Sequence, residues 1–298
     1  MEKILAIDCN AVGWGVFHAL PPLSHNEQGT AIIYGFLNTL FELQRFEQAD
    51  HIVFAWDSRQ SNREKLFPAY KAKRKKKYEE HTEEEVIAHS DRAQQFYLLR
   101  TSILPELGFK NILHEEGFEG DDLIASIVKT YGDTHMIRIV GRDNDLYQLI
   151  GANCNIFDNV GRRVIDEEDI YEKHGVYPDM WADIKAIAGC DSDGVPGVPG
   201  VGINRAANYL LGKMKPSSKM YQLIESSDKV IILTRRLTTL PFDGTPTYEL
   251  LEDKCKVKNL KSVAKEYGLG SYLTRERLKQ FRRYFCHVKK KKITANRK

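Results

Sequence analysis

The stretch ILAIDCN, residues 4–10, sets four consecutive apolar residues directly before an aspartate. An amphipathic helix spaces its apolar residues three and four apart, and a half-exposed strand alternates them. An unbroken run fits a strand covered on both faces, as in a parallel sheet. Two further runs have this character: HIVFAW (51–56) before Asp57, and HMIRIV (135–140) before Gly141, with Asp143 two residues beyond. Between them, TAIIYGFLNTLFELQRF (30–46) and HSDRAQQFYLLRTSILPELGF (89–109) read as helices. Strands alternating with helices predict βαβ units with right-handed crossovers, and hence an α/β fold with a mostly parallel central sheet flanked by helices.

Open parallel sheets bind ligands outside the carboxyl ends of their strands, so Asp8, Asp57 and Asp143 are expected to converge although they are far apart in sequence. Taken singly, each is a turn residue or a helix cap. Each has company, however. GFEGDDLIASIV (117–128) places Glu119, Asp121 and Asp122 at the start of a helix, where the dipole favours carboxylates. Capping accounts for one of the three. GRDNDLYQLI (141–150) adds Asp145 to Asp143. With Asp193, the pocket would hold more negative charge than can stay ionised unless cations neutralise it or pKa values rise. Hard oxygen donors without histidine point to Mg²⁺ or Mn²⁺, and the number of acids to two such ions, the arrangement that serves phosphodiester hydrolysis.

The charges are sorted into blocks. The net charge is only +3, yet Arg63 through Lys77 holds eight basic residues and one acid, and Glu79 to Glu85 then supplies five acids. Alone, such a run is a solvated helix; after the Asp57 strand end it would hang over the acids. Basic side chains above bound cations suit a polyanion, and Tyr70 within AYKAKR offers a ring on which an unpaired base stacks. Nucleic acid is therefore the expected ligand.

Five cysteines at unpatterned spacings, without a C-x-x-C pair, imply a reduced, cytosolic setting. The N-terminus lacks the basic and apolar regions of a signal peptide, and no apolar run is long enough to span a bilayer, so no membrane association is expected. From about Met180 the strand signal fades into short helical pieces, NRAANYLLG, MYQLIESS and LTRERLKQFRRYF, and HVKKKKITANRK reads as a basic tail. The expected division is an α/β domain over 1–180 and a helical region over 181–298. Within the latter, AGCDSDGVPGVPGVG (188–202) is too rich in glycine and proline for a helix interior or a central strand. GVPGVGINRAANYLL fits a hairpin leading into a helix, where glycines let backbone N–H groups approach a phosphate.

In this order the motifs resemble the 5′ nucleases, a family that includes flap endonucleases, phage 5′ exonucleases and the N-terminal nuclease domain of bacterial DNA polymerase I. The resemblance runs from ILAIDCN to about Leu211, through FAWD, SNR, YKAKR, GFEGDD, VGRDNDLYQL and GVPGVG. It implies a PIN-like fold with a helical arch at about 60–100 and a helix-hairpin-helix at about 189–212. It also implies cleavage of 5′ ends and 5′ flaps, with in-line attack by water leaving a 5′ phosphate and a 3′ hydroxyl. By the resemblance, Asp8, Asp57, Asp121 and Asp122 hold one ion, and Glu119, Asp143, Asp145 and Asp193 surround the other. Lys71 steers the scissile phosphate, and Arg63 and Arg74, with Lys73, contact the strand. Gly197, Gly200, Gly202 and Arg205 grip the duplex, and carbonyls at Val198 and Val201 hold a K⁺. The implied partners are DNA with a 5′ flap or single-stranded 5′ end, and an RNA primer in an RNA–DNA hybrid. The implied protein is a monomer in the cytoplasm of a bacterium or a phage-infected host.

The motif departs from the family at three places. The acid expected in the hairpin lead-in falls at Cys190, the asparagine at Gly194, and the hairpin lysine at Asn204, with Arg205 beside it. Asp191 is then the expected replacement ligand, and a thiol predicts weaker second-ion binding and a preference for Mn²⁺. The competing readings are a branched-DNA-binding protein that has lost hydrolysis and a PIN-like ribonuclease.

Overall fold

All three apolar runs are strands in the computed structural model, which describes residues 1–74 and 82–286. Eight strands form among these residues: β1 (Lys3–Asp8), β2 (Ser24–His25), β3 (Gln28–Gly29), β4 (His51–Ala55), β5 (Ile112–Leu113), β6 (Met136–Val140), β7 (Cys154–Asp158) and β8 (Arg163–Ile165). β2 and β3 make a small hairpin, and the others one sheet in the order β5-β4-β1-β6-β7-β8. Every pairing in that sheet is parallel except β7 with β8. The fold is therefore α/β with a mostly parallel sheet, as the runs imply.

β1 lies at the centre, with Ile7 beside Phe54 of β4 and Val140 of β6. The chain leaves β1 to one side for β4 and later to the other for β6, so a crevice opens between their carboxyl ends, where α/β sheets bind ligands. Along β1 the side chains alternate between two cores. Leu5 and Ile7 join Phe36, Phe54 and Phe109 on one face, and Ile4 and Ala6 join Ile124, Ile139 and Trp181 on the other. Burial on both faces is what an unbroken apolar run requires.

On the first face lie α1 (Cys9–Ala19), α2 (Ala31–Glu47) and the helices Val257–Glu266 and Arg275–Phe285. On the second lie the helices Gly120–Tyr131, Trp181–Ala188 and Ile203–Leu210. Residues beyond 180 are thus shared between the two faces. The segment 242–254 crosses the edge at β5 without regular structure. Its backbone is tied down by Asn111, whose amide donates to the Leu251 carbonyl at 2.9 Å and accepts from the Leu251 N–H at 2.7 Å. Covering the short edge strand in this way shields it from pairing with another chain.

The basic block begins at α3 (Asn62–Leu66), capped by Ser61. The acidic block continues into the helix Glu83–Leu98, whose Thr82 and Glu85 form a reciprocal capping box. Lys75, Lys76, Lys77 and Glu79, and the basic tail from His287, lie outside the described residues. Leu66, Phe67, Tyr70 and Val195 share a small apolar cluster that seats the near limb of the arch on the hairpin lead-in.

Phe281 is 1 % exposed and its ring stands 6.0 Å from Phe41 of α2. Phe281→Ala is expected to lower stability by about 3–5 kcal/mol, read by urea denaturation. A loss no larger than that of a surface substitution would mean that the last helix does not complete the core.

Candidate active site

Asp8 closes β1 and caps α1, accepting a hydrogen bond from the Ala11 N–H at 2.9 Å. Asp57 follows β4 by two residues and accepts from the Gly120 N–H at 2.7 Å, which links the strand end to the helix carrying Asp121. Asp143 follows β6 and caps the short turn Asn144–Leu149, accepting from the Asp145 N–H at 2.8 Å. Four separate stretches therefore deliver carboxylates to one crevice.

The electrostatics record this crowding. Burial, then the charges of Asp57 and Asp143, push Asp8 up to about 7. Burial and the charges of Asp8, Asp143 and Asp57 raise Asp121 well above the usual carboxylate range. Desolvation, with the Glu119 charge, raises Asp57 too. Among the described residues these three acids form no ion pair, and only the Lys71 charge offsets part of the rise at Asp57. Their oxygen-only donor set and unmet charge fit a hard divalent ion.

Glu119 is different. Its Oε2 accepts from Lys71 Nζ at 2.8 Å and from the Tyr70 hydroxyl at 3.0 Å. Against its burial, the Lys71 and Arg63 charges hold its carboxyl below the ordinary value. Lys71 adopts a left-handed backbone (φ 53°), fixed by its N–H donating to the Asp193 carbonyl at 2.7 Å. Arg74 Nη2 lies 2.5 Å from Asp193 Oδ1. The base of the arch is thus clamped onto Glu119 and Asp193.

Two expected site residues pair with each other instead. Arg63 donates to both oxygens of Asp122, at 2.6 and 2.8 Å, and to the Leu237 carbonyl at 2.8 Å. Asp122 is fully buried and also accepts from the Phe242 N–H. Both Asp122 oxygens are thus taken up within the protein, which argues against an ion-ligand role, and Arg63 lies buried over the Phe242 ring rather than on the surface where a strand contact is made. Tyr70 likewise is no stacking platform. It is 3 % exposed and spends its hydroxyl on Glu119 and Asp193. Lys73 and Arg74 do face solvent.

Asp145, Cys190 and Asp193 form a second group, each offering a ligand atom within 4.8 Å of the other two. The Cys190 N–H and carbonyl pair with Val195 at 3.1 and 2.9 Å, and this short bridge fixes the direction of the Cys190 side chain. Asp191, the expected substitute, is exposed and stands outside the group, whereas the Cys190 thiol is one of its three members. Lys185 was not anticipated. It is 3 % exposed and its Nζ lies 2.6 Å from Asp145. Its signal was a lone lysine among the apolar residues of ADIKAIAG.

The helices Trp181–Ala188 and Ile203–Leu210 flank the glycine-rich loop. Pro199 and Gly200 (φ 74°) form its tight turn, closed by the Val201 N–H donating to the Val198 carbonyl at 2.9 Å. Gly197 has a packing role, since a Cβ there would meet the Ala188 carbonyl at 2.1 Å. Gly200, Gly202 and Arg205 are exposed at the tip, and Arg205 folds back onto the Gly200 carbonyl.

A parallel sheet with clustered carboxylates at its switch point, an arch base above them and a helix-hairpin-helix alongside defines a class of nucleic-acid-processing folds. Residues 3–175 match the family described as 5′-3′ exonuclease, N-terminal resolvase-like domain, and the chain belongs to that family. It is 31 % identical over 254 residues to DNA polymerase I of Rhizobium leguminosarum, covering 80 % of this chain and 23 % of that protein. It is 29 % identical over 261 residues to DNA polymerase I of Deinococcus radiodurans, covering 81 % and 26 %. The chain thus spans about a quarter of the length of these relatives. Its fold is similar to that of T5 5′-exonuclease with divalent metal ions (zinc) bound, at a TM-score of 0.68 and 20 % identity over 96 % of this chain and 98 % of that one. It is also similar to the catalytic core of Rad2 in complex with DNA substrate, at 0.57 and 14 % over 96 % and 92 %.

Asp8 binds its proton more tightly in the folded than in the unfolded chain, so its contribution to stability is largest at low pH. That contribution is lost as pH rises from about 4 to about 7. In metal-free protein, Asp8→Asn is expected to raise the melting temperature at pH 7 and to change it little at pH 4. Mg²⁺ is expected to stabilise the unsubstituted protein most at the higher pH, since an ion held only by the native, deprotonated cluster would act there. Equal effects of Asp8→Asn at both pH values would contradict the crowding. At the second group, Cys190→Asp is expected to shift metal preference from Mn²⁺ toward Mg²⁺. An unchanged metal dependence of cleavage would refute the role given to the thiol.

Proposed function

We propose that this protein is a structure-specific 5′ nuclease that hydrolyses phosphodiester bonds at 5′ ends and 5′ flaps of DNA, in replication, repair or primer removal. The observation that carries this reading is the convergence of Asp8, Asp57, Asp121 and Asp143 beneath an arch base armed with Lys71 and Arg74. Asp8, Asp57 and Asp121 would hold one Mg²⁺ or Mn²⁺, Asp145, Cys190 and Asp193 the other, with Asp143 between them. When bound, the two ions supply an activated water and charge stabilisation at the leaving oxygen.

The rest of the chemistry belongs to the chain. Lys71 holds its ammonium over Glu119, within reach of the pocket, and transfers it to an incoming phosphate oxygen. Its left-handed backbone and the Asp193 carbonyl keep it aimed while the substrate is absent. Lys73 and Arg74 meet the strand above the acids. Gly200, Gly202 and Arg205 at the hairpin tip meet the duplex backbone, with a K⁺ at the Val198 and Val201 carbonyls. These contacts reach phosphates and not base edges, so the substrate is chosen by its branched shape. An RNA primer annealed to DNA presents the same features. The protein acts as a monomer in the cytoplasm of a bacterium or a phage-infected host.

A second reading, a branched-DNA-binding protein without turnover, draws on one observation: Lys185 already pairs with Asp145 at 2.6 Å. An end-labelled 5′-flap duplex with Mg²⁺ or Mn²⁺ separates the two. Cleavage near the junction is expected, and binding without cleavage under either metal would favour the second reading. Asp143→Asn is expected to abolish cleavage while leaving flap affinity within about tenfold, since it removes an ion ligand and no phosphate contact. Undiminished turnover would remove Asp143 from the machinery.

A further inference from the structure

At the opposite edge of the sheet, where β4, β1 and β6 begin, a different set of donors comes together. Glu2 precedes β1, His51 opens β4 and His135 precedes β6. Parallel register sets Ile4 beside His51 and Lys3 beside Met136, so three residues far apart in sequence share one patch of surface. His51 Nε2 lies 3.3 Å from Glu2 Oε2, and His135 Nε2 lies 3.9 Å from the same oxygen. One ligand atom from each residue lies within 4.8 Å of the other two. Donors bound to a tetrahedral ion of zinc size stand roughly 3.4 Å apart, so a small inward closure completes the geometry.

The hydrogen bonds around His135 point the same way. Thr134 Oγ1 lies 3.2 Å from the Tyr131 carbonyl and 2.8 Å from His135 Nδ1. With Nδ1 engaged by that oxygen, Nε2 is the ring nitrogen turned toward the Glu2 carboxylate. A ligating histidine is oriented in this manner, its other nitrogen hydrogen-bonded to a neighbouring oxygen. The nearby cations are engaged elsewhere, since Lys3 and Arg138 both pair with Glu47 at 3.2 Å.

We propose that Glu2, His51 and His135 form a site for a borderline divalent ion of the Zn²⁺ class, with water completing its coordination. The ion ties together the beginnings of the three strands whose other ends lead to Asp8, Asp57 and Asp143. β1 has six residues, so this staple lies roughly 20 Å from the carboxylate pocket, given about 3.3 Å per residue. It crosslinks positions 2, 51 and 135, closing two long loops of the unfolded chain, and so acts on stability and on the alignment of the strands. The inference does not depend on the nuclease reading, because the donors and their test lie outside that pocket.

The test uses metal-stripped full-length protein in excess Mg²⁺, which fills the oxygen-rich pocket. Titration with Co²⁺ is expected to give one equivalent with the intense visible bands of a nitrogen-ligated, four-coordinate ion, and Zn²⁺ to raise the melting temperature. Cys190→Ser is expected to keep both signals, and the His51→Gln/His135→Gln double variant to lose them. Thr134→Val, which leaves every ligand in place, is expected to weaken Co²⁺ binding by about 10-fold to 100-fold. Glu2→Gln, at an exposed position that does not threaten folding, is expected to weaken it as well. Absence of the visible bands from the unsubstituted protein, their persistence in the double variant, or their loss in Cys190→Ser would each overturn the proposal.

Discussion

Repulsion between like charges is the constraint on which this structure turns. A parallel sheet delivers its strand ends to one edge, and this sequence loads that edge with acids. Each acid is then either matched by a protein cation or left at a cost. Glu119 has Lys71, Asp122 has Arg63, Asp145 has Lys185 and Asp193 has Arg74. Among the described residues Asp8, Asp57 and Asp121 form no ion pair, and burial first, then the neighbouring carboxylates, raises their proton affinity. Dense packing on both faces of the sheet supplies the stability against which such a cluster persists, and Arg63 with Asp122 anchors the helix that carries Asp121. Breaking a buried pair of that kind costs about 3–5 kcal/mol, because the surviving charge is stranded.

Asp193 is the joint between the arms that would hold a substrate. Its carbonyl fixes the backbone of Lys71, its carboxylate receives Arg74 and the Tyr70 hydroxyl, and its loop leads directly into the hairpin. Val195, two residues on, packs against Tyr70 in the same apolar cluster. The hairpin lead-in and the base of the arch are therefore joined by packed side chains and a main-chain hydrogen bond. The apparent luxury of a buried tyrosine beside two carboxylates is explained by this joint: the single phenol proton is shared between them, at 3.0 Å from Glu119 and 3.3 Å from Asp193, and its ring seats the arch.

Local patterns were legible in the sequence because their causes are local. An unbroken apolar run ending in aspartate gives a buried strand with an acid at its tip, and V-P-G-V gives a turn because proline fixes one φ and glycine permits the positive one. The pairing of acids with bases was not legible. Asp121 and Asp122 are neighbours of identical chemistry, and only the helical rotation between them sends one to the pocket and the other into the core against Arg63. Tyr70 read as a stacking ring because it sits among lysines, yet the cluster it enters is formed with Val195 and Leu237, far along the chain. The placement of Phe281 and Phe285 against Phe41 and Phe109 has the same character. A helix pattern states that a face is buried, not which sheet face receives it.

The two groups of ligands differ in charge before any substrate arrives, and this difference sets an order of events for the proposed nuclease. The first group carries unmatched carboxylates, so an ion that binds there relieves repulsion and displaces no protein partner. The second group is already engaged: Lys185 pairs with Asp145 and Arg74 with Asp193, beside Cys190. An ion entering it must compete with ammonium and guanidinium groups. Phosphates are the natural agents of that competition, since they draw Lys71 and Arg74 away from Glu119 and Asp193 and leave those carboxylates free. In the proposed nuclease, filling of the second group would thereby be coupled to the presence of nucleic acid beneath the arch, while filling of the first would not. The same coupling would limit hydrolysis without a correctly seated strand, because Glu119 and Asp193 are held by Lys71 and Arg74.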